Sequence, residues 1–158
     1  MVYRLTIDNG TPGVYQVIRN DPQNDHAEIK FIKQVENDHA EIKFIPHEAV
    51  EIYVEMFISY SPCNNCANAL INWIKNLREQ KKIVSIAIKF STFYKREKNG
   101  LTLLLKEGGI ILDVFFGEAA WEKFFQCSRR TDFTAFVERI RQRRERENVD
   151  YNKLRGII

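Results

Sequence analysis

No apolar run in the chain approaches the ~18 residues that a membrane-spanning helix needs. The opening Met1-Val-Tyr-Arg-Leu5 lacks the basic region, long apolar stretch and small-residue cleavage site of a secretory leader. Together these absences predict a soluble, intracellular protein with no membrane contact. Cysteine is scarce and odd in number, and two of the three, Cys63 and Cys66, sit in one local turn. That spacing excludes a disulfide scaffold and favours a metal or a reactive thiol. Four prolines and seven glycines exclude collagen-like and low-complexity classes. No strong charge excess exists either: 24 Lys and Arg against 21 Asp and Glu leave +3, which permits a polyanion partner without arguing for one. What remains is ordinary globular material. With 158 residues, 44% apolar and 28% charged, residues 1–158 have room for a single domain with one sizeable core, expected as a monomer or weak oligomer.

Hydrophobic periodicity divides the chain into alternating elements. Val2–Ile7 and Val14–Ile18 are β-formers separated by the turn-rich Asp8-Asn-Gly-Thr-Pro-Gly13, which predicts a hairpin. Asp25 then caps a helix carrying Ile29, Ile32 and Val35. Residues 51–59 alternate, with Ile52, Val54, Met56 and Ile58 on one face, and read as a strand. Ser61 as N-cap and Pro62 at the first helical position open a second helix, whose apolar stripe is Ala67, Leu70, Trp73, Ile74 and Leu77. The nearly continuous runs 83–90 and 110–116 suit strands covered on both faces, and Leu101–Lys106, stopped by Gly108-Gly109, is the helix between them. The last third is helical, with Phe133, Phe136, Val137 and Ile140 turned inward. The order β-β-α-β-α-β-α-β-α-α predicts a three-layer α/β domain around one mixed sheet.

A nine-residue segment recurs without change. Asn24-Asp-His-Ala-Glu-Ile-Lys-Phe-Ile32 reappears thirteen residues later as Asn37–Ile45. Two copies cannot build a solenoid, so at most one copy serves any single site. The first copy is the better candidate, because Ile29 to Val35 follow Glu28 without a breaker whereas Pro46 lies five residues after Glu41. Residues 37–45 then read as an insertion that lengthens the helix or its loop.

Two motifs carry chemistry. Cys63-Asn-Asn-Cys66 at a helix start places two sulfurs on one face, and the free N–H groups and positive dipole end there favour thiolate. Alone, such a pair is equally a redox couple or half of a structural zinc finger. His26-Ala-Glu28 opens the preceding helix, where His26 can supply a third ligand and Glu28 can reach a water in the open fourth position. Asp25-x-x-Glu28 is also a good capping box, and a histidine near a helix start is commonly polar surface. On two successive helix starts separated by one strand, the two motifs together point to a catalytic metal.

The pattern H-x-E followed by P-C-x-x-C is the signature of zinc nucleobase deaminases, and the chain resembles their AID/APOBEC branch. His26-Ala-Glu-Ile-Lys-Phe-Ile-Lys-Gln-Val35 is similar to the branch's HxExxFLxxI helix, and Ser59-Tyr-Ser-Pro-Cys63 to its SWSPC. Asn99-Gly-Leu101 with Lys106-Glu-Gly-Gly-Ile110 resembles GLxxLxxAGxxI, and the likeness covers most of residues 14 to 140. The resemblance implies a three-layer α-β-α cytidine-deaminase-like fold with a single mixed five-stranded sheet. It implies zinc held by His26, Cys63 and Cys66, Glu28 as proton shuttle, and Asn20 and Tyr60 in the nucleotide pocket. The loop after the fourth strand, residues 91–98, departs from the branch's Tyr-rich segment. Its Phe93, Tyr94, Lys95 and Arg96 are candidates for base stacking and phosphate contact, or form an amphipathic exposed loop.

The expected function is hydrolytic deamination of cytosine to uracil in single-stranded DNA or RNA. The alternatives are a free-nucleoside deaminase and an inactive zinc-stabilised nucleic-acid-binding module. Arg139 to Arg146, interleaved with Glu138, Glu145 and Glu147, reads as a solvated helix face with i,i+4 pairs, with phosphate binding as the alternative, and Cys127 as a packing residue.

Overall fold

A computed structural model describes the chain apart from residues 9–11, 22–24, 39–49, 95–98, 129–136, 139 and 158. The described elements run β1 (Val2–Ile7), β2 (Gln16–Val17), α1 (Ala27–Asp38), β3 (Glu51–Tyr60) and α2 (Asn64–Glu79). They continue with β4 (Ile83–Thr92), α3 (Asn99–Lys106), β5 (Ile110–Val114), α4 (Glu118–Cys127) and α5 (Arg144–Arg155). The order is the one that hydrophobic periodicity predicts. Five strands form one sheet in the order β2-β1-β3-β4-β5, antiparallel on the β2-β1-β3 side and parallel from β3 to β5. It is therefore the single mixed sheet of an α/β deaminase-like fold.

Why the sheet is mixed follows from the connections. Residues 8–15 return β1 to β2 antiparallel without an intervening helix among the described residues, whereas β3 to β4 and β4 to β5 each cross over through a helix and emerge parallel. On one face Ile52, Val54, Met56 and Ile58 of β3 join Ile86, Ile88 and Phe90 of β4 in a core capped by Phe31, Leu70, Trp73, Ile74 and Leu101. The Phe31 ring meets Tyr3 and Trp73 edge-on, at centroid distances of 4.8 and 5.5 Å. The opposite face carries a smaller cluster in which Phe57 and Phe115 pack under Trp121 and Phe124 of α4.

Several local expectations are corrected. The second strand is Gln16–Val17 rather than residues 14–18, since Gly13 N–H bonds Leu5 O at 3.1 Å before the ladder with Val2 and Tyr3 resumes. The buried stripe of α1 is Ala27, Glu28, Phe31 and Val35, while Ile29 and Ile32 are half-buried. β5 ends at Val114 instead of residue 116, and Phe116 is exposed. Ser61 is not the N-cap of α2. β3 and β4 pair as far as Tyr60↔Thr92, and Ser61 N–H still bonds Thr92 O at 2.8 Å, so sheet geometry holds Ser61 and the helix starts later. Cys63, extended at φ −71° and ψ 170°, is the N-cap, and Pro62 precedes the helix. Glu147 is buried rather than solvated; it accepts the Trp121 indole N–H and, at 3.3 Å, Gly117 N–H. Cys127 is buried with the aromatic residues of the second cluster, as expected of a packing residue. Ile140 is buried there too and Val137 is half-buried, while Phe133 and Phe136 lie outside the described residues.

Candidate active site

Two helix starts meet at the C-terminal ends of β3 and β4. His26 stands immediately before α1 and accepts, through its carbonyl, the N–H groups of Ile29 and Lys30 at 3.0 and 3.1 Å. The first helical N–H, that of Ala27, is satisfied by Asn20 Oδ1 at 3.1 Å. Asp25 does not close a capping box but pairs with Lys33 at 2.5 Å. At the start of α2, Cys63 O accepts the Ala67 N–H at 2.9 Å, which turns Cys66 back toward Cys63.

The result is a compact donor set. His26 Nδ1 lies 3.2 Å from Cys66 Sγ and 3.5 Å from Cys63 Sγ, and the three donor atoms all fall within 4.8 Å of one another. Tetrahedral zinc with Zn–S of about 2.3 Å and Zn–N of about 2.0 Å requires N···S edges of about 3.5 Å and S···S edges of about 3.8 Å. One imidazole nitrogen and two thiols at these separations fit such an ion with small adjustments. Three ligands leave a fourth position, and Glu28, buried at 8% exposure, lines the same cavity. His26, Cys63 and Cys66 are the group among the described residues that could hold a metal ion.

Without a cation, the surroundings of Cys66 oppose the thiolate that the helix start alone would favour. Burial pushes the Cys66 thiol up from its ordinary value, and the Glu28 charge and the neighbouring Cys63 thiol push in the same direction. A buried thiol beside a carboxylate becomes a thiolate at neutral pH when a divalent cation supplies the compensating charge. The N-terminal ends of α1 and α2 add positive potential to the same point.

The cavity has a volume of about 400 Å³, and Asn20, His26, Glu28, Tyr60, Cys63 and Tyr94 are among its walls. Tyr60 is 56% exposed at the rim. The Tyr94 ring stands edge-on to both His26 and Tyr60, 6.3 Å from each. With Cys66, seven of the sequence-predicted residues thus converge. Phe93 does not join them: it is 7% exposed, packed edge-on against Phe90 at 5.2 Å, and offers no stacking face to the cavity. Lys95, Arg96, His39 and Glu41 lie outside the described residues. Sequence reasoning missed Ser61, whose Oγ accepts the Tyr94 N–H at 2.9 Å and joins the two aromatic walls. A serine before proline reads as a helix cap, and no local pattern announces a bond to a residue thirty-three positions away.

Comparison with known proteins gives two matches. The APOBEC3H family model matches residues 1–133. The DNA dC->dU-editing enzyme APOBEC-3H of Macaca mulatta is 29% identical over 105 residues, covering 66% of this chain and 46% of the relative. The chain therefore spans about half the length of the curated relative that it matches.

Proposed function

Because this chain belongs to the APOBEC3H family, we propose that it hydrolytically deaminates cytosine to uracil in single-stranded polynucleotide, DNA before RNA. The observation that carries the proposal is the convergence of His26, Cys63 and Cys66 with Glu28 in one open cavity. The name of the macaque relative supports DNA as the polynucleotide.

Zinc, when bound, acts as a Lewis acid that brings the pKa of a water to about 7. His26 and the two cysteines would hold it, in the cavity that Glu28 also lines. Glu28 takes a proton from the attacking water and delivers it to N3 of the base as the C4–O bond forms. It then carries the proton of the new C4 hydroxyl to the exocyclic amine, and the C4–N bond breaks to release ammonia. Atoms balance as cytosine plus water giving uracil plus ammonia. Asn20 and Tyr94 orient the base and Tyr60 forms the rim. A base enters such a cavity only when unstacked, so a single strand or a flipped base is the substrate.

The free-nucleoside alternative calls for a closed pocket, and an exposed Tyr60 at the rim favours a longer strand that continues past the base. Glu28→Ala tests the reading. It should retain zinc and fold while losing ammonia release from a cytosine-containing DNA oligonucleotide, with cytidine and a matched RNA as parallel substrates. Turnover by Glu28→Ala comparable to the parent, or cytidine as the preferred substrate, overturns it.

A further inference from the structure

The last helix docks on an unusual stripe. Its buried residues are Glu147, Asp150 and Leu154, so two of the three are carboxylates. Burying a carboxylate costs several kcal/mol unless partners meet it, and a leucine stripe docks a helix at no such cost. Each acid has a specific destination. Glu147 serves the Trp121 indole. Asp150, 3% exposed, accepts the hydroxyl of Thr92 at 3.0 Å in a bond between two buried side chains. On their own helix, Arg146 and Lys153 each approach Asp150 to 3.9 Å.

Thr92 is the last residue of β4 and holds both aromatic walls of the cavity. Its register partner is Tyr60, and its carbonyl takes the Ser61 N–H at 2.8 Å. Two residues further on, Tyr94 N–H bonds Ser61 Oγ at 2.9 Å. Between them Phe93 is pinned by Phe90, and Lys153 of the same last helix lies 5.6 Å over its ring. A continuous series of contacts thus runs from Asp150 through Thr92 to Ser61, Tyr60 and Tyr94.

We propose that Asp150 is a positioning residue for substrate binding: by accepting the buried Thr92 hydroxyl it fixes the end of β4, and with it the Tyr60 and Tyr94 walls of the cavity. The last helix in this way sets polynucleotide affinity without touching the strand. The inference rests on the reading of Tyr94 as a substrate contact.

The test is steady-state kinetics on a single-stranded DNA oligonucleotide containing one cytosine. Asp150→Ala should raise KM about five- to tenfold with kcat within twofold and zinc per chain unchanged. Thr92→Val should do the same, and the double variant should be no worse than either single one, since both remove one bond. Asp150→Asn and Thr92→Ser, which keep an acceptor and a hydroxyl, should restore KM. Leu154→Ala weakens the docking of the same helix but keeps the bond, and its KM should stay near that of the parent. An unchanged KM in Asp150→Ala, beside a raised one in Tyr94→Ala, overturns the positioning role and leaves the site reading standing. A Tyr94→Ala variant with parental KM removes both. A rise in Leu154→Ala equal to that in Asp150→Ala also overturns the proposal, because docking in general and not this bond would then be responsible.

Discussion

Gly100 lies in the first turn of α3, where the helix passes against the turn that carries Cys63. A Cβ built there would stand 3.0 Å from Pro62 O and 3.1 Å from both C and O of Cys63. Ordinary contacts between such atoms are about 3.5–4.0 Å, so all three fall short, and each belongs to backbone that has no rotamer to escape into. Gly100→Ala therefore sets two effects in opposition. Alanine gains about 1 kcal/mol in helix propensity over glycine. Overpacking a close approach of this kind costs about 1–3 kcal/mol, and the loss should win by about 1 kcal/mol, or about 2–4 °C in Tm for a domain of this size. Two of the three crowded atoms belong to Cys63, a member of the proposed zinc donor set, so chelator competition should show weaker zinc binding alongside the lower Tm. Gly108→Ala is the control, because nothing lies within 4 Å of its Cβ position. A Gly100→Ala protein with raised Tm and parental zinc affinity would refute the reasoning, since helix propensity alone would then explain it.

Three further outcomes are expected. Burial alone would push the Glu55 carboxyl up, but the Lys123 ammonium, the Tyr15 hydroxyl and the Arg4 guanidinium together hold it below the usual carboxylate range. Stability from Glu55 is thus present above its unfolded pKa of about 4.3 and is lost as pH falls through the lower folded value. Glu55→Gln should cost about 1–3 kcal/mol at pH 7, a figure reduced because Arg4 and Lys123 are 28% and 49% exposed, and should flatten the acid side of a Tm–pH curve. Cys127→Ser should leave zinc per chain unchanged by elemental analysis, because Cys127 packs in the aromatic cluster away from the donor set. Finally, α1 carries the chain about 18 Å from His26 by Asp38, the residue before the second histidine. His26→Ala should therefore abolish zinc binding and deamination and His39→Ala keep both; the reverse pattern would move the site to the second copy.

The order of elements was legible because each segment carries its own period. Alternation in β3 and the i, i+3, i+4 stripe of α2 need no tertiary information, and the candidate metal motifs were legible for the same reason: His26 and Cys63 mark helix starts. What was missed depends on neighbours far away in sequence. Ser61 resembles a cap until β4 is known to extend the ladder to Thr92. Alternation in β3 turns Glu55 away from Ile52 and Met56, as if toward solvent, yet α4 covers that face and Lys123 meets the carboxylate at 2.6 Å. Glu147 sits among arginines and reads as a solvated face, whereas Trp121 draws it inward, and Asp150, which belongs to no sequence motif, turns in to Thr92. Phe93 and Tyr94 are adjacent and point to different places, a distinction no composition of the loop reveals.

Ser61, Thr92 and Phe93 share a location, and that location has a physical reason. β3 and β4 are parallel, so both end at the same edge of the sheet, where the chain must leave the ladder and the crevice opens. Candidate metal donors there can be specified locally, because one helix start fixes two sulfurs and another an imidazole by short-range geometry. The rim cannot be so specified. Tyr60 and Tyr94 stand on two chain segments leaving adjacent strands, and only bonds between those segments hold the two rings at a fixed spacing. Ser61 supplies one such bond and Thr92 another, each linking residues that lie about thirty apart in sequence. The donor set of the site is therefore written in short motifs, while the spacing of its aromatic walls is set by polar side chains whose partners the fold alone brings near.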